Sequence, residues 1–377
     1  MRIAFYAPMK PPDHPTPSGD RRMARLLMAA LAEGGHEVFL ASGFRSYEGG
    51  GDAERQRALA GEGAEIAEWL GRELAAAEEQ PDLWFTYHLY HKAPDWLGPK
   101  IAADLEIPYV VAEASFAPKQ AGGPWDLGHR AAGGAIAAAD AVFCLTQLDM
   151  ACVGPLLQGP DRLHYLPPFM DAAPFEAAIG ARDAVRGRLA AELGLDPARP
   201  WLVTVAMMRP GDKLDSYRRL GAALDRLAAE DWSLLVVGGG EARVEVEAAL
   251  AQLGHRVAYA GALAPEQVPE TLAAADLYVW PATREAYGMA LLEAQAAGLA
   301  VVAGAEPGVF DVVEDGRTGL LTEPGDVTAF AEALRMLLRD PARRRRLGKQ
   351  GRALVGAERT LAATARRLGA VLEGLVA

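Results

Sequence analysis

Short apolar runs rich in β-branched and aromatic residues alternate with longer Ala/Leu-rich stretches of helical period along the chain, which predicts parallel α/β architecture. In the first half the predicted strands are Ile3–Tyr6, Val38–Ala41, Leu83–Tyr87, Tyr109–Ala112, Ala141–Leu145 and Leu163–Leu166. Helices are expected over Arg21–Glu33, Glu62–Ala77, Ala93–Asp104 and Ala131–Ala139. The rhythm stops at Pro167-Pro168, and a polar, charged segment runs on to Pro197 and Pro200. It restarts with strands at Leu202–Ala206, Leu234–Val237, Arg256–Tyr259, Leu277–Trp280, Leu299–Ala303 and Gly319–Thr322. Helices at Ser216–Ala229, Glu241–Leu253, Glu266–Ala274 and Gly288–Ala297 lie between them. The economical reading is two doubly wound, Rossmann-like domains facing across a cleft, over 1–172 and 199–360, joined by a linker over 173–198. A final helix in 361–377 is expected to pack back toward the N-terminal domain.

A length of 377 residues suits two domains of ordinary size. Met1 leads directly into a strand pattern, without the basic start, long apolar run and small-residue cleavage site of a secretory signal. Uncharged runs such as Ala131–Ala139 fall far short of the roughly 20 residues a membrane span needs. Only Cys144 and Cys152 occur, outside any C-x-x-C pair, which speaks against metal and disulfide and for a reducing compartment. The expected location is cytoplasmic. A net charge of −12 argues against a nucleic-acid partner. Most of the acidic excess lies in the first half, so contact with an anionic membrane surface stays open but without support there. The arginine run Arg343–Arg346 reads as one solvated helix face.

The chemistry concentrates in the stretch from Leu277 to Ala303, which reads as strand, loop, helix and second strand. Glu285 falls in the loop at the strand's carboxyl end, and Glu293 lies inside the following helix. Tyr287, Gly288 and Met289 occupy the helix start, where unpaired backbone N–H groups favour an anion and glycine lets a ligand approach. Glu285 can accept hydrogen bonds from sugar hydroxyls, Glu293 can hold a ribose diol and the helix start can take phosphate. An amphipathic helix with two solvated glutamates has the same spacing. On the loop after the second half's first strand, Arg209 and Lys213 are placed to neutralise a pyrophosphate, or are ordinary surface charges. In Pro17-Ser-Gly-Asp-Arg-Arg22, Ser18 reads as a helix N-cap and Gly19 permits close backbone approach.

The run from Glu285 to Glu293 resembles the E-x7-E motif of family 4 glycosyltransferases, retaining enzymes of the GT-B fold. Its strand–Pro–helix–Gly-Leu–strand frame is similar too, as is the segment Glu306-Pro-Gly-Val-Phe-Asp311 and its continuation to Asp326. The resemblance implies that Glu285, Arg209 and Lys213 are catalytic, although the family's Arg and Lys usually stand one residue further apart. It implies donor contacts from Gly19, Gly239, Leu263, Tyr287, Gly288, Met289 and Glu293. Gly19 stands alone where the family often has a glycine pair. Leu234-Leu-Val-Val-Gly-Gly-Gly-Glu241 resembles the family's strand-then-glycine turn and lacks the dinucleotide spacing G-x-G-x-x-G. Family members commonly carry a His at the end of the fourth strand, where this chain has Glu113 and Ser115 and no His. His88 and His91, at the end of the third strand, are acceptor-side candidates together with Glu113. Trp84, Trp96 and Trp125 are either acceptor-stacking rings or core.

The activity this implies is transfer of a sugar from a UDP- or GDP-sugar to a carbohydrate, lipid-linked or small-molecule hydroxyl, with retention. No cofactor is expected, and the lack of any D-x-D triplet points away from a metal requirement. The alternatives are a catalytically silent sugar-nucleotide-binding subunit and an epimerase of the same fold.

Overall fold

In a computed structural model describing residues 1–16 and 18–376, the chain divides into two units, Met1–Pro167 with Leu361–Ala377, and Pro168–Thr360. The candidate segment Pro17–Arg22 loses its proline, and the C-terminal segment its Ala377, because those two residues lie outside the described part.

The first unit alternates β1 (Arg2–Tyr6), α1 (Gly19–Glu33), β2 (Glu37–Ser42), α2 (Ala53–Ala76), β3 (Leu83–Leu89), α3 (Gly98–Leu105), β4 (Tyr109–Ala114), α4 (Asp126–Ala138), β5 (Ala141–Cys144), α5 (Gln147–Val153) and β6 (Leu163–Tyr165). Every strand pair is parallel, and the order is β2-β1-β3-β4-β5-β6. The sheet therefore changes direction of growth between β1 and β3, the place where open α/β sheets leave room for a ligand. Fully buried residues on the strands, such as Ile3, Phe5, Phe85, Val110 and Phe143, explain the near-continuous apolar runs in the sequence.

Several helix starts differ from the periodicity: α4 begins at Asp126 rather than Ala131 and the second unit's helix Asp212–Asp225 at Asp212 rather than Ser216, while side-chain hydrogen bonds explain the starts of α2 and α3. Helix α2 begins at Ala53 because Asp52 accepts from the backbone N–H groups of Glu54 and Arg55, at 2.8 and 3.1 Å. Helix α3 begins only at Gly98 because buried Asp95 accepts from the N–H groups of Leu97 and Gly98. The other Asp95 oxygen accepts from Thr86 at 2.5 Å and Tyr109 at 2.9 Å. Burial holds this carboxyl above its ordinary range, against the pull of those hydrogen bonds.

In the second unit come α6 (Ala173–Ile179), α7 (Arg182–Leu193), β7 (Trp201–Val205), α8 (Asp212–Asp225), β8 (Ser233–Val237), α9 (Arg243–Leu250), β9 (Val257–Gly261), α10 (Val268–Ala273), β10 (Leu277–Trp280), α11 (Met289–Ala296), β11 (Ala300–Gly304), β12 (Gly319–Thr322), α12 (Val327–Arg339) and α13 (Pro341–Glu358). Helix α14 (Leu361–Val376) returns to the first unit and packs on α1. The second sheet is also all parallel, in the order β12-β11-β10-β7-β8-β9, and switches between β7 and β10.

The stretch 173–198, read as a linker, contains α6 and α7 within the second unit. Its apolar period is faint because α7 also turns charge inward. Arg182 and Arg186 reach Asp276 at 2.7 and 3.0 Å and donate to the carbonyls of Ala273 and Ala274. The arginine run is likewise not uniformly solvated: Arg344 is buried and donates to the Leu337 carbonyl at 2.9 Å.

Candidate active site

At the second sheet's switch point, neighbouring strands β7 and β10 send loops to different helices, α8 and α11. The β7 loop carries Arg209 and the β10 loop carries Glu285, whereas Lys213, expected on the β7 loop, stands in the first turn of α8. Lys213 Nζ lies 2.5 Å from Glu285 Oε2, with both side chains partly buried. The same carboxylate oxygen accepts from Trp280 Nε1 at 3.1 Å. Trp280 is buried, and the Tyr217 ring of α8 meets it edge-on at 5.1 Å. Tyr217 in turn donates to the Ala206 carbonyl at 3.0 Å, which ties α8 to the end of β7. Glu285 is thus set by two donors from rigid elements. Arg209 is exposed on the β7 loop just before α8.

The β10 loop is tightly wound. Ala282 and Arg284 both adopt left-handed backbone, at φ 56° and 48°. The loop is held by Ser216, which accepts from the Thr283 N–H at 3.0 Å, and by Glu306, which accepts from the Arg284 N–H at 3.0 Å. Gly288 follows at φ 75° and opens α11 without a side-chain cap, so first-turn N–H groups remain directed out of the helix start. Tyr287 and Met289 flank it, partly buried. Glu293 is 5% exposed, within α11.

Glycines fix both loops. A side chain on Gly238 or Gly240 would overlap the carbonyl oxygens of Ala206 or Met208, and Met208 N–H donates to the Gly239 carbonyl at 2.9 Å. This strand-end turn therefore shapes the Arg209 loop. Leu263 lies half-buried just beyond β9. Gly308 presses so closely beneath the Ala286 carbonyl that a Cβ there would displace it. Gly308 and Glu306 belong to the segment that carries the family resemblance. The sequence marks Trp280 only by its strand-end position and Asp20 only by its place just ahead of the first helical period, and it carries no signal for the contact made by Ser216.

In the first unit, Ser18 caps α1 by accepting from the Arg21 N–H at 3.2 Å. Gly19 faces open space, with nothing within 4 Å of where a Cβ would stand. His88 and Glu113 come together at the carboxyl ends of β3 and β4, with Asp20 from the first turn of α1. His91 does not join them and meets the Trp125 ring edge-on at 5.7 Å. Its pKa is lowered, by burial first and then by Lys92. Trp84 is core, and Trp125 is partly exposed beneath the Lys92 ammonium. Among the described residues, no group of three or more His, Cys, Asp or Glu side chains is arranged to hold a metal ion.

Residues 193–354 match the family described as glycosyl transferases group 1. The alpha-maltose-1-phosphate synthase of Mycobacterium tuberculosis is 32% identical over 269 residues, covering 66% of this chain and 68% of that one. The chain belongs to the group 1 glycosyl transferases. Another relative of this group 1 member is the D-inositol 3-phosphate glycosyltransferase of Nocardia farcinica, 34% identical over 197 residues. That match takes in 50% of this chain and 42% of the relative, so the chain spans less than half of that protein's length. In the crystal structure of Anabaena Alr3699/HepE in complex with UDP, the whole of both chains superposes at a TM-score of 0.71 and 17% identity. That likeness, together with the two parallel sheets, establishes the GT-B fold for this group 1 glycosyl transferase.

Proposed function

We propose that this protein transfers a sugar from a UDP- or GDP-sugar to an acceptor hydroxyl with retention of configuration and without a metal ion. The observation that carries the proposal is the Lys213–Glu285 pair, set at the switch point of the second sheet beside the uncapped start of α11. Arg209, Lys213 and the N–H groups at Gly288 and Met289 are assigned to the diphosphate, whose charge grows as the glycosidic bond breaks. Arg209 on the β7 loop and Lys213 at the start of α8 supply the charge that a divalent metal supplies elsewhere. Glu285 is assigned to the transferred sugar's hydroxyls and Glu293 to the ribose, with Gly19, Gly239, Leu263 and Tyr287 bordering the donor.

In the transfer, the bond between the anomeric carbon and the diphosphate oxygen breaks. The acceptor oxygen bonds to that carbon on the same face, and its proton passes to the departing phosphate oxygen. The acceptor is a carbohydrate, lipid-linked or small-molecule alcohol, met by Glu113, His88 and His91. A cytoplasmic location belongs to the same proposal and rests on the low cysteine content. Among the described residues, no helix is long and apolar enough to cross a membrane.

The test is release of UDP or GDP from a panel of sugar nucleotides, with candidate acceptors and with or without EDTA. The anomeric coupling of the product is then read by NMR. Transfer with a retained anomer, unaffected by EDTA, is the expected result. Tight nucleotide binding with no release from any donor would instead mark a silent binding subunit.

A further inference from the structure

Strands β3 and β4 pair in register on either side of one level, Tyr87 with Ala112 and Leu89 with Ala114. At that level His88 and Glu113 stand side by side, both in left-handed backbone, at φ 59° and 58°. Histidine enters this region more readily than most residues, but glutamate does not, and strain of the kind at Glu113 persists only where surrounding structure enforces it. The His88 ring nitrogen Nδ1 lies 3.2 Å from Asp20 Oδ1 and 3.9 Å from Glu113 Oε1. The three side chains are 17%, 29% and 13% exposed for His88, Asp20 and Glu113. Three elements, α1, β3 and β4, thus place one imidazole between two carboxylates. The Tyr87 hydroxyl acts on the Glu113 carboxyl by hydrogen bonding, yet buried Oε2 has no partner of good geometry among the described residues. A buried carboxylate oxygen left open in this way is costly unless a ligand donor fills it.

We propose that Asp20, His88 and Glu113 form one acceptor-binding group, in which Asp20 positions His88, and His88 holds Glu113 ready to accept an O–H from a neutral polyol. The assignment rests on the glycosyl-transfer reading for the use of that hydroxyl, but not for the coupling of the three groups. Charge selects a neutral acceptor over an anionic one. Around His88 are Asp20 from α1, Glu113 from β4, Asp149 from α5, and the phenols Tyr87 and Tyr90; Lys10 acts on Asp20 from the loop after β1. Asp20, Glu113 and Asp149 bear directly on the His88 ring, whereas Lys10 and Arg45 act one step further out, on Asp20 and Tyr90, so the immediate surroundings favour an alcohol over a phosphate. Both Asp149 oxygens are already taken, by Ser115 and Thr146 at 2.7 Å each, so Asp149 contributes charge rather than a free acceptor atom.

The protonation pattern agrees with the geometry. Burial pushes the His88 pKa down, yet Glu113 and then Asp20 outweigh it, and the net direction is up. For Glu113 burial dominates and raises its pKa, with His88 opposing. Asp20 is lowered: burial would raise it, but the contact with His88 prevails.

The experiment follows the His88 ring by long-range proton–nitrogen NMR of the 15N-labelled full chain, between about pH 5.5 and 8.5. The resonance is assigned with His88→Gln, and wild type is compared with Asp20→Asn and Asp20→Glu. The wild-type ring should stay protonated above its ordinary midpoint of 6.5. Asp20→Asn should lower that midpoint, and Asp20→Glu should restore it. Where turnover is measurable, Asp20→Asn should raise the KM for the acceptor about tenfold and leave the donor KM unchanged. A ring already neutral at pH 6.5, a titration indifferent to Asp20→Asn, or equal effects on both KM values would overturn the proposal. The NMR arm needs no turnover, so failure of the transfer reading alone would leave its result intact.

Discussion

Lys213 and Glu285, seventy-two residues apart in sequence, meet at 2.5 Å and join the first turn of α8 to the loop leaving β10. Under the proposed function, the cation assigned to phosphate and the carboxylate assigned to sugar hydroxyls are thereby held together by the protein itself. Trp280, donating to the same oxygen, keeps the carboxylate from following the lysine. Such preorganisation removes a reorganisation cost at the moment of reaction.

Lys213→Ala and Glu285→Gln should each lower kcat/KM by about 100-fold or more. Both positions stay partly exposed, so a melting-point change of only about 2–4 °C is expected, corresponding to ~1 kcal/mol. Equal losses of activity and of folded protein in thermal melts would show that the pair is structural.

The β10 loop should tolerate no added bulk beneath it. Gly308→Ala would push against the Ala286 carbonyl and displace Glu285's neighbours. Steady-state kinetics should show a loss of about 100-fold, the scale of a 1 Å misplacement. Gly134→Ala, on α4 with open space at its Cβ, is the control and should retain wild-type rates.

Asp95 carries stability rather than chemistry. Removing it strands Thr86, Tyr109 and two backbone N–H groups in the core. Asp95→Ala should cost about 3 kcal/mol, read from the urea midpoint of unfolding.

The twelve strands were legible because buried parallel strands announce themselves as apolar runs between helical periods. Local spacing puts Glu285 and Gly288 at one strand end and one helix start, but an ordinary amphipathic helix has the same spacing, and only the resemblance of the Glu285–Glu293 run to a known motif marked them as a site. What the sequence left hidden depends on partners distant along the chain. Helix α7 escaped because its inward face spends arginines on Asp276. The contacts of Lys213 with Glu285 and of Asp20 with His88 join segments whose proximity only the strand order reveals. His88 and His91 look equivalent in sequence, and only the left-handed turn at His88 separates them.

Stability should fall as pH rises above about 6.5, because of the first unit's buried cluster. His88 has a raised folded pKa, so its contribution is complete below its ordinary 6.5 and is lost as pH climbs through the raised value. Glu113 acts in the same direction: its raised pKa means that ionising it in place costs stability above its ordinary 4.5. Asp20, lowered, contributes above its ordinary value and loses that only in acid. Urea midpoints measured across this range should decline in wild type and decline less in His88→Gln. An identical slope in both would remove His88 as the source.

The most direct test of the central claim is the thermal shift of the purified full chain with UDP, GDP and ADP, with and without EDTA. A nucleotide that binds only the folded protein stabilises it by about 2.7 kcal/mol at a concentration 100 times its Kd. UDP or GDP should stand out from ADP, persist in EDTA, and lose its effect in Lys213→Ala and Arg209→Ala. No shift with any nucleotide, in protein shown to be folded, would contradict a sugar-nucleotide site at Lys213, Glu285 and Gly288.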